Sequence, residues 1–323
     1  MTTFLVLGGS GFVGREISQA LLAAGHTVVV ASRQPQLAPQ AQLSSRALDV
    51  LHEPSLLQAL AGIDVVVNAT TGSGTVIAQG AQVLARAMRH AGVRHLVHLS
   101  SQAVYGAQEG WLAEDTPLQA SLGWYGAAKI QAEAAVRQWV EQGGRAVLLR
   151  PGCVVGPGSP LWTTRIARWL QAGHLGDLGA QGDGWSNLVH VRDVAQAVVQ
   201  AAAWLQTAEP TTCVACNLAA PDAPRWNQYF ADAASRLNIA PLPRLSARRL
   251  WCISRLMGVP LKVAERLGLS VPVWGRALPP GMAPSVAALW GQQIRLDVRR
   301  NPPWGPLVWT PYVQMLDDFS AAP

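Results

Sequence analysis

Residues 6–14 read VLGGSGFVG, and the spacing of the glycines in that stretch decides the fold. Gly9, Gly11 and Gly14 satisfy Gly-x-Gly-x-x-Gly, while Gly8, Gly11 and Gly14 satisfy the looser Gly-x-x-Gly-x-x-Gly. The pattern lies between an apolar run, TFLVLGG, and a stretch of helical spacing, GREISQALLAAG. There the glycines permit a tight turn, close backbone approach to a pyrophosphate, and close packing of helix on strand. The helix that opens at this point leaves its first N–H groups free for phosphate oxygens. The loop therefore reads as a dinucleotide phosphate site, with Gly8, Gly9, Ser10, Gly11, Phe12, Val13 and Gly14 forming its cradle.

Working outward, HTVVVASR, SRALDV, IDVVVNATT, RHLVHLSS and RAVLLRPG are strand-like runs. The stretches PSLLQALAG and VIAQGAQVLARAMRHAG between them have helical spacing. Near-continuous apolar strands separated by helices predict a parallel sheet covered on both faces. The expected fold is α/β: a Rossmann-type doubly wound sheet with a smaller C-terminal substrate-binding lobe. Residues 1–150 form the dinucleotide-binding domain, and 187–220 return to it through NLVHVRDVAQAVVQAAAWL. Residues 151–186 and 221–323, where prolines, glycines and tryptophans multiply, form mainly the lobe.

Half of the 323 residues are hydrophobic and 14% are charged, which excludes a disordered chain. The formal charge of +6 comes from scattered arginines, so no basic run marks a nucleic-acid partner. No apolar stretch approaches the roughly 20 residues that span a bilayer, and MTTFLVLGG lacks a basic leader, so a cytoplasmic location is expected. Four cysteines make no disulfide framework at this length. Cys213 and Cys216 lie in TTCVACNLA, a strand pattern in which positions three apart face opposite ways, so no metal site is expected.

The second strand ends ASRQ, with Ser32 and Arg33 where an NAD site carries a carboxylate for the ribose 2′-hydroxyl. A guanidinium suits a 2′-phosphate, so NADP(H) is expected over NAD(H).

Two further stretches carry hydroxyls and a cation. HLSSQAVYG (98–106) ends a predicted parallel strand, where ligands of such sheets bind. WYGAAK (124–129) sets Tyr125 and Lys129 four apart on one helix face. Only two of the 25 basic residues are lysines, Lys129 and Lys262, so a lysine at this position is a choice against the habit of the chain. The glycine loop, SSQAVYG and YGAAK together resemble the extended short-chain dehydrogenase/reductase family. ALDV around Asp49, DVVVNAT around Asn68, RPGCVVGPG (150–158), LVHVRDVAQA (188–197) and the terminal WTPYVQMLDD follow in family order.

The resemblance implies Ser101 as the catalytic serine, with Ser100 as the second candidate. It also implies Tyr125 as general acid/base with Lys129 as its helper, the ammonium and the cationic oxidised nicotinamide both lowering the phenol pKa. It implies further cofactor contacts from Asp49, Val50, Asn68, Ala69, Thr70, Ser100, Tyr125, Lys129, Pro151, Gly152 and Val154. A homodimer through the helices at about 76–91 and 124–142 is implied as well.

Departures from the family narrow the substrate. Gln102 and Ala103 replace the acidic pair of sugar-nucleotide dehydratases. Ser186 and Asn187 stand where nucleotide-sugar epimerases carry Arg-Asp, and Cys153 where they carry Asn. A diphosphate clamp is therefore missing, and GDG…NLVHV more nearly resembles the hydroxysteroid-dehydrogenase and dihydroflavonol-reductase branch. Trp162, Trp169, Trp185, Trp226, Trp251, Trp274 and Trp290 are candidates for a hydrophobic pocket lining, while most of the 13 tryptophans are expected to be ordinary core. The expected activity is carbonyl–alcohol interconversion on a hydrophobic small molecule. A nucleotide-sugar epimerase and a non-catalytic NADP(H)-binding sensor or assembly protein are the alternatives. The basic, amphipathic stretch 245–268 reads as helices packed on the lobe, with peripheral membrane contact as the other use of such a face.

Overall fold

A computed structural model describes residues 1–34, 41–121, 123–239, 241–266 and 279–319. Its centre is a seven-stranded parallel sheet. The strands are β1 (Thr3–Leu7), β2 (Thr27–Ser32), β3 (Leu43–Ala47), β4 (Val65–Asn68), β5 (His95–Leu99), β7 (Arg145–Pro151) and β10 (Cys213–Leu218), in the order β10-β7-β5-β4-β1-β2-β3. A three-residue strand, β6 (Gly110–Leu112), lies outside this sheet.

Alternate strand residues explain how the sheet is covered. Phe4 and Val6 of β1 face a core shared with α1 (Phe12–Ala23) and α6 (Val191–Leu205). Leu5 and Leu7 face the opposite core, built with α2 (Glu53–Ala59), α3 (Gly74–Ala91) and α4 (Trp124–Glu141). Cys213 and Cys216 join opposite cores in the same way, as their spacing on a strand requires.

The chain order places a topological switch between β1 and β4, where strands leave in both directions and a crevice opens at their carboxyl ends. Register aligns those ends. Leu7 lies opposite Ala31 and Asn68, Asn68 opposite His98, and Leu99 opposite Leu149.

A further hydrophobic core lies apart from the two that cover the sheet, and α5 (Arg165–Gln171), α7 (Trp226–Arg236) and the pair β8 (Cys153–Val155) and β9 (Leu188–His190) contribute to it. Here several of the tryptophans named as candidates for a pocket lining are ordinary core instead. Trp169, Trp226 and Trp290 are wholly buried in the core, where Trp226 stacks on Phe230 and Trp162 packs against Trp226. Trp251 is exposed, Trp185 is half-buried at a different cleft, and Trp274 lies outside the described residues. Large indoles gain most by filling a core completely, and with 13 of them most are used so.

Within the stretch 245–268, α8 (Ala247–Trp251), a π-helical turn (Cys252–Met257) and α9 (Gly258–Arg266) follow one another. Their inner side packs on that core through Leu250 and Ile253. The short helix α10 (Pro284–Leu289) and strand β11 (Ile294–Leu296) come next, and β11 pairs with β6 in parallel. The final segment first runs along α6, and its end, α11 (Tyr312–Met315) and a turn at Leu316–Phe319, packs in the same core as α7 through Met315, Leu316 and Phe319. Trp304 packs on Trp204 of α6, and Thr310 donates from N (2.9 Å) and Oγ1 (2.6 Å) to the Asp193 carboxylate. His190 caps α6 through Nδ1, which accepts from Arg192 N, and lies 3.3 Å from Asp318. This gives the histidine a structural role. Among the described residues no helix is long and apolar enough to cross a membrane.

Candidate active site

The glycine loop is as crowded as its pattern demands. Gly8 has φ +75°, and a Cβ there would lie 2.7 Å from the Ala69 carbonyl oxygen. A Cβ on Gly14 would lie 2.3 Å from Gly8 O and 2.7 Å from Gly9 Cα, both backbone atoms with no room to yield. Gly11 N donates to Gly8 O at 3.0 Å, and α1 starts at Phe12 with no side-chain cap on its N-terminus. Those uncapped N–H groups face the crevice end of the sheet, the arrangement that binds phosphate.

At the strand ends sit buried hydroxyls with no partner among the described residues: Ser32 Oγ, Thr70 Oγ1 and Ser100 Oγ. Buried polar groups are normally satisfied, so three orphans along one crevice fit a ligand rich in hydroxyls and phosphates. Arg33 stands exposed just beyond β2. Asp49 is exposed after β3, and its Oδ1 accepts from Leu51 N at 3.0 Å. Val50 abuts Gly80 of α3 so closely that a Cβ there would lie 2.9 Å from Val50 Cγ2. Pro151 ends β7, Gly152 N donates to Leu218 O at 2.9 Å, and Val154 is half-buried in β8.

Asn68 is buried and fixed at both ends of its amide. Oδ1 accepts from Thr70 N at 3.1 Å, which fixes the amide orientation, so Nδ2 donates to His98 Nδ1 at 3.2 Å. His98 therefore carries its proton on Nε2, which is buried without a partner among the described residues. Burial, and then the charge of Lys129, push its pKa down to about 3, so this imidazole is neutral.

The Ser101 hydroxyl neighbours that of Tyr125 and favours its ionised form, and Ser101 Oγ accepts from Ala103 N at 3.2 Å. One helical turn on, Lys129 is 3% exposed and donates from Nζ to Leu99 O at 2.6 Å. Burial pushes its pKa down to about 8, opposed by the nearby Glu133 carboxylate. The expected lowering of the phenol is not produced by the chain's own groups. Burial raises the Tyr125 pKa, and only the Ser101 hydroxyl works against it. The ammonium lies 6.0 Å from the Tyr125 ring centroid and is bonded to the Leu99 carbonyl, which turns its charge to the backbone.

Two networks beneath this site go beyond the motifs. Glu133, one turn beyond Lys129, pairs bidentately with Arg150, with Nε–Oε1 at 2.9 Å and Nη2–Oε2 at 2.7 Å; both side chains are 1% exposed. Arg150 Nη1 donates to Tyr105 Oη at 2.9 Å, and that hydroxyl donates to Asn217 Oδ1 at 2.7 Å. A signal for the first is present in the chain: Tyr125, Lys129 and Glu133 recur every four residues, and Arg150 is the charge in an apolar strand. In the second network Asn187 Nδ2 donates to Gln102 Oε1 at 3.0 Å, and Gln102 Nε2 to Cys153 Sγ at 3.5 Å. Asn187 and Cys153, which depart from the epimerase pattern, are thus linked through Gln102, which departs from the dehydratase pattern, with Asn187 at φ 44°.

Comparison with known proteins identifies the family. The NAD dependent epimerase/dehydratase family matches residues 4–216. A "4-hydroxy-2-methyl-3-oxo-4-farnesyl-3,4-dihydroquinoline-1-oxide ketoreductase" of Stigmatella aurantiaca is 25% identical, over 92% of this chain and 89% of that protein. A "3-diazoavenalumate denitrifying reductase" of a Streptomyces species is 30% identical, over 76% of this chain and 86% of that one. Among solved structures, MoeE5 in complex with UDP-glucose and NAD superposes with a TM-score of 0.72 at 21% identity, covering 98% and 97% of the two chains, a likeness of fold. The glycine loop, the parallel sheet and these matches lead to one conclusion: the chain belongs to the NAD dependent epimerase/dehydratase family, whose members are NAD(P)-dependent oxidoreductases and epimerases.

Proposed function

We propose that this protein is an NADP(H)-dependent oxidoreductase that interconverts a carbonyl and an alcohol on a hydrophobic small molecule, with Ser101, Tyr125 and Lys129 as its catalytic set. The observation that carries this reading is the Ser101–Tyr125 hydroxyl pair, with a buried lysine one turn away, at the strand ends that border the glycine loop.

The loop Gly8–Gly14 would hold the pyrophosphate, Ser32 and Arg33 the 2′-phosphate, and Asp49 with Val50 the adenine end. Asn68, Ala69, Thr70, Ser100, Pro151, Gly152 and Val154 would line the path towards the nicotinamide. Bound there, the nicotinamide supplies or accepts the hydride. Ser101 Oγ holds the substrate oxygen, and Tyr125 Oη exchanges a proton with it. Because burial raises the phenol pKa, Tyr125 keeps its proton at neutral pH and is poised to donate it. That state suits reduction of the carbonyl. Lys129, protonated below about 8, holds a positive charge beside the phenol.

A hydrophobic substrate is supported by the missing diphosphate clamp, since Ser186, Asn187 and Cys153 offer no fixed cation. The farnesylated substrate named for the Stigmatella relative supports it as well. The same reading includes a homodimer formed through α3 and α4, to be checked by sedimentation velocity.

The deciding experiment is an NADPH-consumption screen over ketones, aldehydes and enones, with Tyr125→Phe as control. Turnover is expected to vanish in the variant while its NADPH affinity stays near wild type. Retained turnover in Tyr125→Phe would refute the assignment. Tight UDP binding would identify a nucleotide-sugar epimerase instead.

A further inference from the structure

Away from the glycine loop and the Ser101–Tyr125 pair, three arginines and two tryptophans interleave where β6 and β11 meet. The Arg295 guanidinium lies over both indoles, 4.2 Å from the Trp111 ring centroid and 3.9 Å from that of Trp185. Arg299 stacks on Trp111 at 4.6 Å and Arg225 on Trp185 at 4.5 Å.

The flanking arginines are neutralised. Arg299 grips Asp297 with Nε at 2.9 Å from Oδ1 and Nη2 at 2.8 Å from Oδ2. Arg225 Nη1 lies 3.3 Å from Asp183 Oδ2 and donates to Gln293 Oε1 at 3.1 Å. Arg295 differs: among the described residues its side chain makes no hydrogen bond and no ion pair, and its charged neighbours Arg225 and Arg299 are of like sign. A guanidinium stacked on both faces has only its edges left, and those edges carry all five donors. Arg295 lines a narrow cleft together with Asn187 and Arg299, and Ala220, Pro221, Leu296 and Val298 give that cleft its apolar wall.

We propose that Arg295 is the head of an oxyanion-binding site for a carboxylate carried on an apolar body. The stack between Trp111 and Trp185 holds the fork rigid before a ligand arrives, so little side-chain freedom is lost on binding. A planar carboxylate meets the fork edge-on with two parallel hydrogen bonds. The apolar wall takes the first carbons behind it. The inference is independent of the oxidoreductase reading, because Arg295 touches neither the glycine loop nor the Ser101–Tyr125 pair. The nearest link is Asn187, which bonds the β11 backbone on either side of Arg295 and also Gln102.

Isothermal titration of the full chain with sodium octanoate tests it, with octanol and inorganic phosphate as the two half-ligands. Wild-type protein is expected to bind octanoate saturably, and Arg295→Gln to weaken it at least tenfold. Arg295→Lys should fall between them, since an ammonium keeps the charge and loses the fork. NADPH affinity and far-ultraviolet circular dichroism should be unchanged in both variants, which separates loss of this site from loss of the fold. Absence of saturable octanoate binding, or wild-type affinity in Arg295→Gln, would overturn the site. Phosphate or octanol binding as tightly as octanoate would overturn the assigned ligand class.

Discussion

Replacing Lys129 with methionine should stabilise this protein near neutral pH while removing its activity. The lysine is 3% exposed and its pKa falls from 10.5 to about 8, with burial as the main cause. Keeping it charged in the folded state therefore costs about 3 kcal/mol well below pH 8, at ~1.4 kcal/mol per pKa unit. Between about 8 and 10.5 the unfolded chain still holds a proton at this lysine that the folded chain has released. Wild-type stability from this group thus rises with pH across that window. Methionine has a similar shape and no charge, but it leaves the Leu99 carbonyl without the 2.6 Å donor. That loss costs about 1 kcal/mol. The net expectation is a variant more stable by about 2 kcal/mol near pH 7, with the advantage falling to about zero near pH 10. Urea unfolding of both proteins at the two pH values measures the difference, and other titrating groups cancel in the comparison. A variant less stable than wild type at neutral pH, or a difference flat with pH, would refute the reasoning.

Other substitutions probe the remaining parts. Glu133→Gln strips one member from a buried bidentate pair and should destabilise by about 3–5 kcal/mol in urea unfolding, because Arg150 is left charged and uncompensated. Since the Glu133 carboxylate holds the Lys129 pKa up, the same variant should move the alkaline limb of the kcat profile to lower pH. Gly14→Ala should cut NADPH affinity at least tenfold by isothermal titration. Gly11→Ala should cost less, its Cβ meeting Gly8 O at 3.2 Å rather than 2.3 Å. Arg33→Ala should lower the preference for NADPH over NADH by about tenfold or more, the value of a hydrogen bond to a charged group; an unchanged ratio of dissociation constants would remove Arg33 from the cofactor site.

Several of these residues could be read from the chain alone, and the reason is locality. Gly8, Gly11 and Gly14 are spaced for one tight turn, and Tyr125 and Lys129 for one helix face, so the spacing already states the geometry. The alternation of apolar strands with helices is local in the same sense, and it determined the sheet, its parallel sense and the crevice where Ser101 lies. The tertiary structure decided what depends on burial and on distant partners. Tyr125 has its phenol pKa raised rather than lowered, because desolvation outweighs every neighbour the chain provides. Trp169, Trp226 and Trp290 went to the core, although nothing in their local sequence separates them from Trp185 at the cleft. Glu133 meets Arg150 across 17 residues, and Arg295 meets Trp111 across far more. Spacing along the chain reaches one turn or one strand; charge and solvent exclusion act through space, and only the folded molecule brings those partners together.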